Sequence, residues 1–265
     1  MSPFPKAAES QKTQFNSKFH QDYCSEFLEA CKTSKELGIE IDTLLFPQKP
    51  LLNPKHIHNL AGLIHQEAFE FGSQIGFNCF NVNKDRREDV EKICSTTAHL
   101  TIGYYTDTEL NADLYKFSKN DVFDWVHGRK QATEDMHSWL TLDTGEVIDL
   151  TLMSSLGEAS RTSELMNVIY VSTPSLPASA GFYLEHNGKE KLCALANNPR
   201  FVFHPMVVGE EVFFKIKVSM MLIYEPEPSL PIGTVVFEPE QPSPEKNPPS
   251  FLGAMWQRIW SKSKT

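Results

Sequence analysis

His137–Ser–Trp–Leu–Thr–Leu142 and Glu146–Val–Ile–Asp–Leu–Thr–Leu152 are two alternating runs separated by Asp143–Thr144–Gly145. Strict alternation marks paired strands, and a three-residue link ending in Gly suits a type I turn followed by a left-handed residue. That turn pairs Leu142 with Glu146, Trp139 with Asp149 and His137 with Thr151. His137, Trp139, Thr141, Val147, Asp149 and Thr151 then share one face. Leu140, Leu142, Ile148, Leu150 and Leu152 take the other and point into a core. A slip of one residue would scatter the leucines over both faces, so the apolar pattern selects the register. Asp149 becomes the diagonal neighbour of His137, about 7 Å away between backbones, a gap two side chains bridge. A carboxylate on one imidazole nitrogen orients the ring and stabilises the imidazolium, leaving the other nitrogen to take a proton from a thiol. A cross-strand pair on a solvated face is the plain alternative.

Upstream, the clearest helix opens with Asn53 as N-cap and Pro54 as first helical residue. Ile57, Leu60, Ile64, Ala68, Phe71 and Ile75 form its buried stripe, and Gly76 stops it. An earlier helix is expected over His20–Leu37. Residues 1–18 are polar and expected to be disordered. After Gly76–Phe77–Asn78–Cys79, a polar stretch leads to a short helix near Asp85–Cys94, then to a strand at 99–105. A loop-rich segment carries Phe117, Phe123 and Trp125. Beyond a helix at 154–166, strands are expected at 167–172, 181–186, 189–195, 201–203 and 212–224, with Asn187–Gly188 as a two-residue hairpin turn and His204–Pro205 as a structural turn. Eight prolines between Pro226 and Pro249 describe an extended linker, interrupted by 232–237. Phe251, Met255, Trp256, Ile259 and Trp260 share one side of a short C-terminal helix, a surface for a protein or for weak membrane contact.

A thiol becomes nucleophilic where a helix start and an imidazole stabilise its thiolate. Of Cys24, Cys31, Cys79, Cys94 and Cys193, only Cys79 stands just ahead of a helix; Cys94 is the second candidate, at a helix end where the dipole opposes a thiolate. The order Gly76–Phe–Asn–Cys79, helix, strand 99–105, His137–Ser–Trp139, Ile148–Asp149–Leu–Thr151 resembles the transglutaminase-like branch of the papain-like cysteine hydrolase superfamily. The match covers about residues 54–155. The resemblance implies Cys79 as nucleophile, His137 as base and later acid, Asp149 as orienter, and Trp139 with Thr151 as the site wall. It also implies an α+β fold with a papain/transglutaminase-like core, in which N-terminal helices pack on an antiparallel sheet.

On this reading residues 1–18 precede a core at 19–165. A strand-rich extension at 166–225, continuing the sheet or forming a small lobe, is followed by a linker at 226–250 and the helix at 251–265. The expected function is hydrolysis or acyl transfer on a peptide, protein or small amide or thioester. The alternative is a non-catalytic binding module on the same fold, membrane-peripheral through its last helix. A net charge of −9 with scattered Lys and Arg argues against nucleic acid as partner. His56, His58 and His65 lack metal-ligand spacing and the glycines are isolated, so no metal or cofactor is expected. The absence of a signal-like segment, of an eighteen-residue apolar run and of CxxC pairs suits a reduced, cytoplasmic protein; signal-less export stays open.

Overall fold

The computed structural model describes residues 9–41, 50–71, 75–130, 136–161, 166–174, 180–184, 190–194 and 200–223. The linker at 226–250 and the helix at 251–265 lie outside them, as does the Asn187–Gly188 turn.

The fold is α+β. Helix α1 (Glu9–Glu36) is followed by α2 (Pro54–Phe71), α3 (Cys79–Asp85) and α4 (Arg87–Cys94). Strands β1 (Ala98–Asp107) and β2 (Ala112–Leu114), helix α5 (Lys119–Val126), β3 (His137–Leu142), β4 (Val147–Asp149) and α6 (Leu152–Ser160) come next. Then follow β5 (Ile169–Ser172), β6 (Ala180–Leu184), β7 (Glu190–Ala194), β8 (Phe201–Val208) and α7 (Glu210–Ile223). Among the described residues all eight strands join one antiparallel sheet running β2-β1-β3-β4-β5-β6-β7, with β8 on β1. β1 is the axis. One edge takes β8, and the other takes β3 over 98–103 and then β2 over 105–107. The strand-rich segment therefore continues the sheet and is not a separate lobe.

Both sheet faces are covered, so β3 and β4 are buried along their whole length. On one face Leu100, Ile102, Leu140, Leu142, Ile148 and Leu150 pack with apolar residues of α2, α4, α5 and α7. On the other, Tyr105, Trp139, Val147 and Tyr170 pack with Tyr23 and Phe27 of α1 and Leu152, Met153 and Leu156 of α6. Each fully buried aliphatic side chain contributes about 1.5–3 kcal/mol of transfer free energy. Alternation along the hairpin thus sorts residues between two cores.

Several sequence expectations need correction. α1 begins at Glu9, so the helix expected from His20 starts earlier and takes in residues 9–18. Over 212–223 the segment expected as a strand is helix α7. Gly209, at φ +104°, ends β8, Glu210 and Glu211 fill the first helical turn, and Val212 and Ile216 are buried one turn apart. Short apolar runs do not separate helix from strand by period alone. His204–Pro205 lies inside β8, not in a turn. Pro205 pairs with Gly103 beside a bulge, where its missing N–H is tolerated. A Cβ on Gly103 would sit 2.1 Å from the His204 carbonyl oxygen, so only glycine fits there. In β6–β7, Leu184 pairs with Glu190, one register off what a two-residue turn at 187–188 requires. Ile75 is buried but lies beyond α2.

Helix α5 occupies the stretch expected to be loop-rich. Ser118 Oγ accepts from the Asp121 N–H at 3.2 Å, and the Asp121 carboxylate accepts from the Ser118 N–H at 2.8 Å. This capping box nucleates the helix and seats Val122 and Trp125 in the core. Bonds from Lys130 and Ser118 hold the Asp121 carboxyl down at about 2. Since that is below its ordinary value of 3.8, its contribution is complete above 3.8 and vanishes as the pH falls through about 2. Ser118→Ala is expected to cost about 1 kcal/mol. A thermal melt should show a fall of roughly 2–4 °C, and an unchanged midpoint would deny the cap its role.

Candidate active site

The hairpin register is the one the leucines select. Leu140 pairs with Ile148, Thr141 with Val147, and the Leu142 N–H donates to the Glu146 carbonyl at 2.9 Å. The pairing stops there. β4 ends at Asp149, so the expected His137–Thr151 pair is absent, and Thr151 instead precedes α6 as its N-cap. Leu152 accordingly falls in the cluster with Trp139, opposite Leu150. The chain turns because the Asp149 carboxylate captures the backbone beyond it. Its Oδ1 accepts from the N–H groups of Thr151 and Leu152, both at 2.9 Å, and from the Thr151 hydroxyl at 3.1 Å. An aspartate anchoring its own downstream backbone is a turn-forming arrangement, here opening a helix.

The second carboxylate oxygen faces His137. Nε2 of the imidazole donates to Asp149 Oδ2 at 2.5 Å, with the histidine 2% exposed and the aspartate fully buried. The solvated-face alternative is thereby excluded. Tyr115 stacks on the imidazole with ring centroids 5.4 Å apart, and Tyr105 meets it edge-on at the same distance. Trp139 stands 6.1 Å from the ring, and its indole N–H donates to the Tyr23 hydroxyl at 2.8 Å. It is fully buried, so it braces the histidine from within the core and is not an exposed wall. Thr151 is buried too and acts on Asp149, not on the space above the thiol. Tyr105 could have been read from the alternation of 99–105. Tyr115, at φ +63° after β2, carried no sequence signal.

Cys79 is the first residue of α3 and partly exposed, and the His137 ring stands close enough to draw its thiol down. With Nε2 committed to Asp149, the remaining nitrogen, Nδ1, is the one left for sulfur. The thiol donates to the Met136 carbonyl oxygen at 3.8 Å, and the Ser138 N–H helps to draw it down. Three residues far apart in sequence thus form a thiol–imidazole–carboxylate relay. The helix expected near Asp85–Cys94 is α4, and α3 is a further short helix ahead of it, its inner side buried by Phe80, Val82 and Asn83.

The turn ahead of Cys79 is clamped to α6. The Asn78 N–H donates to the Ile75 carbonyl at 3.3 Å across Gly76–Phe77, with Phe77 left-handed at φ +57°. A Cβ on Gly76 would sit 2.2 Å from a Glu158 carboxylate oxygen. The Phe77 N–H donates to Ser155 Oγ at 2.9 Å, and that hydroxyl donates to the Thr151 carbonyl at 3.1 Å. Asn78 does not cap α3 with its side chain, whose Oδ1 instead accepts from Asn81 Nδ2 at 2.7 Å. No side chain caps the start of α3, and the Val82 N–H closes its first turn on the Asn78 carbonyl at 3.1 Å.

Burial opposes charge on both partners, and their mutual interaction overrides it. The His137 imidazolium and its hydrogen bond, with the Ser138 N–H, draw the Cys79 thiol below its ordinary value. Asp149 and the thiolate raise His137 well above the usual imidazole range. Each partner's charge thus favours the other's. The other described thiols behave oppositely: burial pushes Cys24 and Cys94 up to about 12 and Cys31 to about 11. Cys94 is fully buried in the core, away from any such partner. Cys193 belongs to β7.

Two surface clefts, one between α1 and the β8 edge and one between α2 and α4, are not lined by the three relay residues. Among the described residues no cluster of three or more His, Cys, Asp or Glu could hold a metal ion, and no helix is long and apolar enough to cross a membrane. In comparisons with known proteins, no family model, no curated protein and no solved structure matches this chain.

Proposed function

We propose that this chain is a cysteine-dependent hydrolase or acyltransferase acting on an amide or thioester through a covalent acyl-enzyme. The observation that carries this is the buried imidazole bonded to a carboxylate through one nitrogen, beside a partly exposed thiol that it draws below its ordinary value. The Cys79 thiolate attacks the carbonyl carbon, forming a C–S bond as the carbonyl electron pair moves to oxygen. Backbone N–H groups near Cys79 hold that oxyanion. The tetrahedral adduct collapses, and His137 gives its Nδ1 proton to the departing amine or thiolate. Water or an acceptor amine, deprotonated by His137, then releases the acyl group and restores the thiol. A transglutaminase-like membership of the papain-like superfamily is part of the same proposal. Its support is the order of thiol helix, strand, H-x-W strand and D-x-T segment.

Iodoacetamide at pH 6 is expected to place one adduct on the wild-type chain, read by intact mass, and none on Cys79→Ala. An ordinary thiol is almost entirely protonated there and reacts slowly. A Cys79→Ala chain labelled as fast as wild type would remove Cys79 from its role. The binding-module alternative calls for no activated thiol at all, so slow wild-type labelling would favour it.

A further inference from the structure

We infer that Asn83 is a positioning residue of this site, its buried amide setting the spacing between thiol and imidazole. The inference rests on the proposed function and deepens it. Asn83 is fully buried in α3, one turn after Cys79. Its Nδ2 donates to the Cys79 carbonyl at 2.8 Å and to the Ser138 carbonyl at 2.9 Å, and its Oδ1 accepts from the Leu150 N–H at 3.4 Å. Both amide hydrogens and one acceptor site are thus used.

The three backbone groups it engages belong to the relay or adjoin it. Cys79 is the nucleophile, Ser138 follows His137 and lends its own N–H to the sulfur, and Leu150 follows Asp149. One side chain therefore ties the thiol helix to both strands of the hairpin at the point where they carry base and orienter.

Packing alone does not call for this residue. Asparagine is a poor interior helix former, and burying an amide is unfavourable unless its bonds are met. Phe80 and Val82 on the same short helix already supply apolar burial. What the amide adds is a fixed distance, and thiolate stabilisation by an imidazolium depends steeply on distance and alignment. Misplacement by about 1 Å can cost as much as ~100-fold in rate.

The test compares the pH–rate profile of Cys79 alkylation by iodoacetamide in the full chain, Asn83→Ala and Asn83→Leu, with Ile64→Val in α2 as a destabilised control. Both Asn83 variants are neutral, so neither adds charge beside the sulfur. The alkylation midpoint is expected to rise by about one pH unit, and the rate at pH 6 to fall about tenfold. Ile64→Val should keep the wild-type midpoint, and Asn83→Gln should recover part of the loss. A lowered wild-type midpoint retained in both variants would overturn this inference and leave the proposed function standing. An ordinary wild-type midpoint would remove both. If the variants do not fold, wild-type NMR decides: the Asn83 side-chain amide protons should exchange slowly and shift with the Cys79 titration. Fast exchange, or shifts indifferent to that titration, would overturn the assignment.

Discussion

With His137 replaced by glutamine, alkylation of Cys79 at pH 6 is expected to fall by at least about a hundredfold. The thiol is partly exposed and is drawn down only because an imidazolium and its hydrogen bond outweigh burial. Glutamine keeps a polar group near Asp149 but carries no charge. Burial and the nearby Asp149 charge then outweigh the Ser138 N–H, as burial prevails on Cys24 and Cys94, and drive the thiol above its ordinary value of 9.0. At pH 6 even an unperturbed thiol is only about one part in a thousand thiolate. The signs of the two shifts define the wild-type window. Cys79, lowered in the folded chain, contributes stability that is complete above its unfolded value and lost as the pH falls through the lowered one. His137, raised, contributes stability that is complete below about 6.5 and lost as the pH rises through the raised value. Both describe one ion pair, so alkylation should stay fast from the lowered thiol value upward and lose its low-pH limb in His137→Gln. Equal profiles for the two proteins would show that the imidazole does not activate the sulfur.

Asp149→Ala is expected to destabilise the fold by about 3–5 kcal/mol, the cost of stripping one partner from a buried charged pair. Four donors meet this carboxylate: the His137 ring, the N–H groups of Thr151 and Leu152, and the Thr151 hydroxyl. Truncation leaves the imidazolium uncompensated in the core and frees the start of α6, whose Ser155 in turn holds the Phe77 turn ahead of Cys79. Calorimetry should find a melting temperature lower by roughly 6–20 °C. Asp149→Asn separates support from chemistry. The amide oxygen can keep the Thr151 and Leu152 N–H bonds, so most stability should remain. Its NH2 then faces Nε2 and forces the ring proton onto Nδ1, where it blocks acceptance from the thiol. Turnover of a thioester probe is expected to fall on the order of 10³–10⁴-fold with the fold intact. An Asn variant as active as wild type would show that the carboxylate serves α6 alone.

Much of the site could be read along the chain because its parts are locally periodic. Alternation over 137–150 gives the face and register of the His137–Asp149 pair, since a half-turn per residue leaves only two ways to sort the leucines. Asn53–Pro54 marks the start of α2, and the Asn53 side chain caps it at 3.0 Å and 3.1 Å. Ser118–Asp121 was an equally local signal for α5, concealed by the few apolar residues that follow. The end of β4 was not legible, because whether the chain after Asp149 extends or coils depends on where that carboxylate spends its second oxygen.

The primary structure alone determined which residues could share a surface: the imidazole with its carboxylate, the thiol at a helix start, the alternating apolar rows. Local periodicity suffices for that, because backbone geometry repeats every two or 3.6 residues. Tertiary structure alone decided that both faces of the hairpin are buried, that Cys79 comes beside His137 while Cys94 lies in the core, and that Asn83 joins its own helix to two distant backbones. Those contacts span 55–67 positions of chain, and only the packing of α1 and α2 against opposite faces of the sheet brings such groups together and strips the water that would otherwise uncouple their charges.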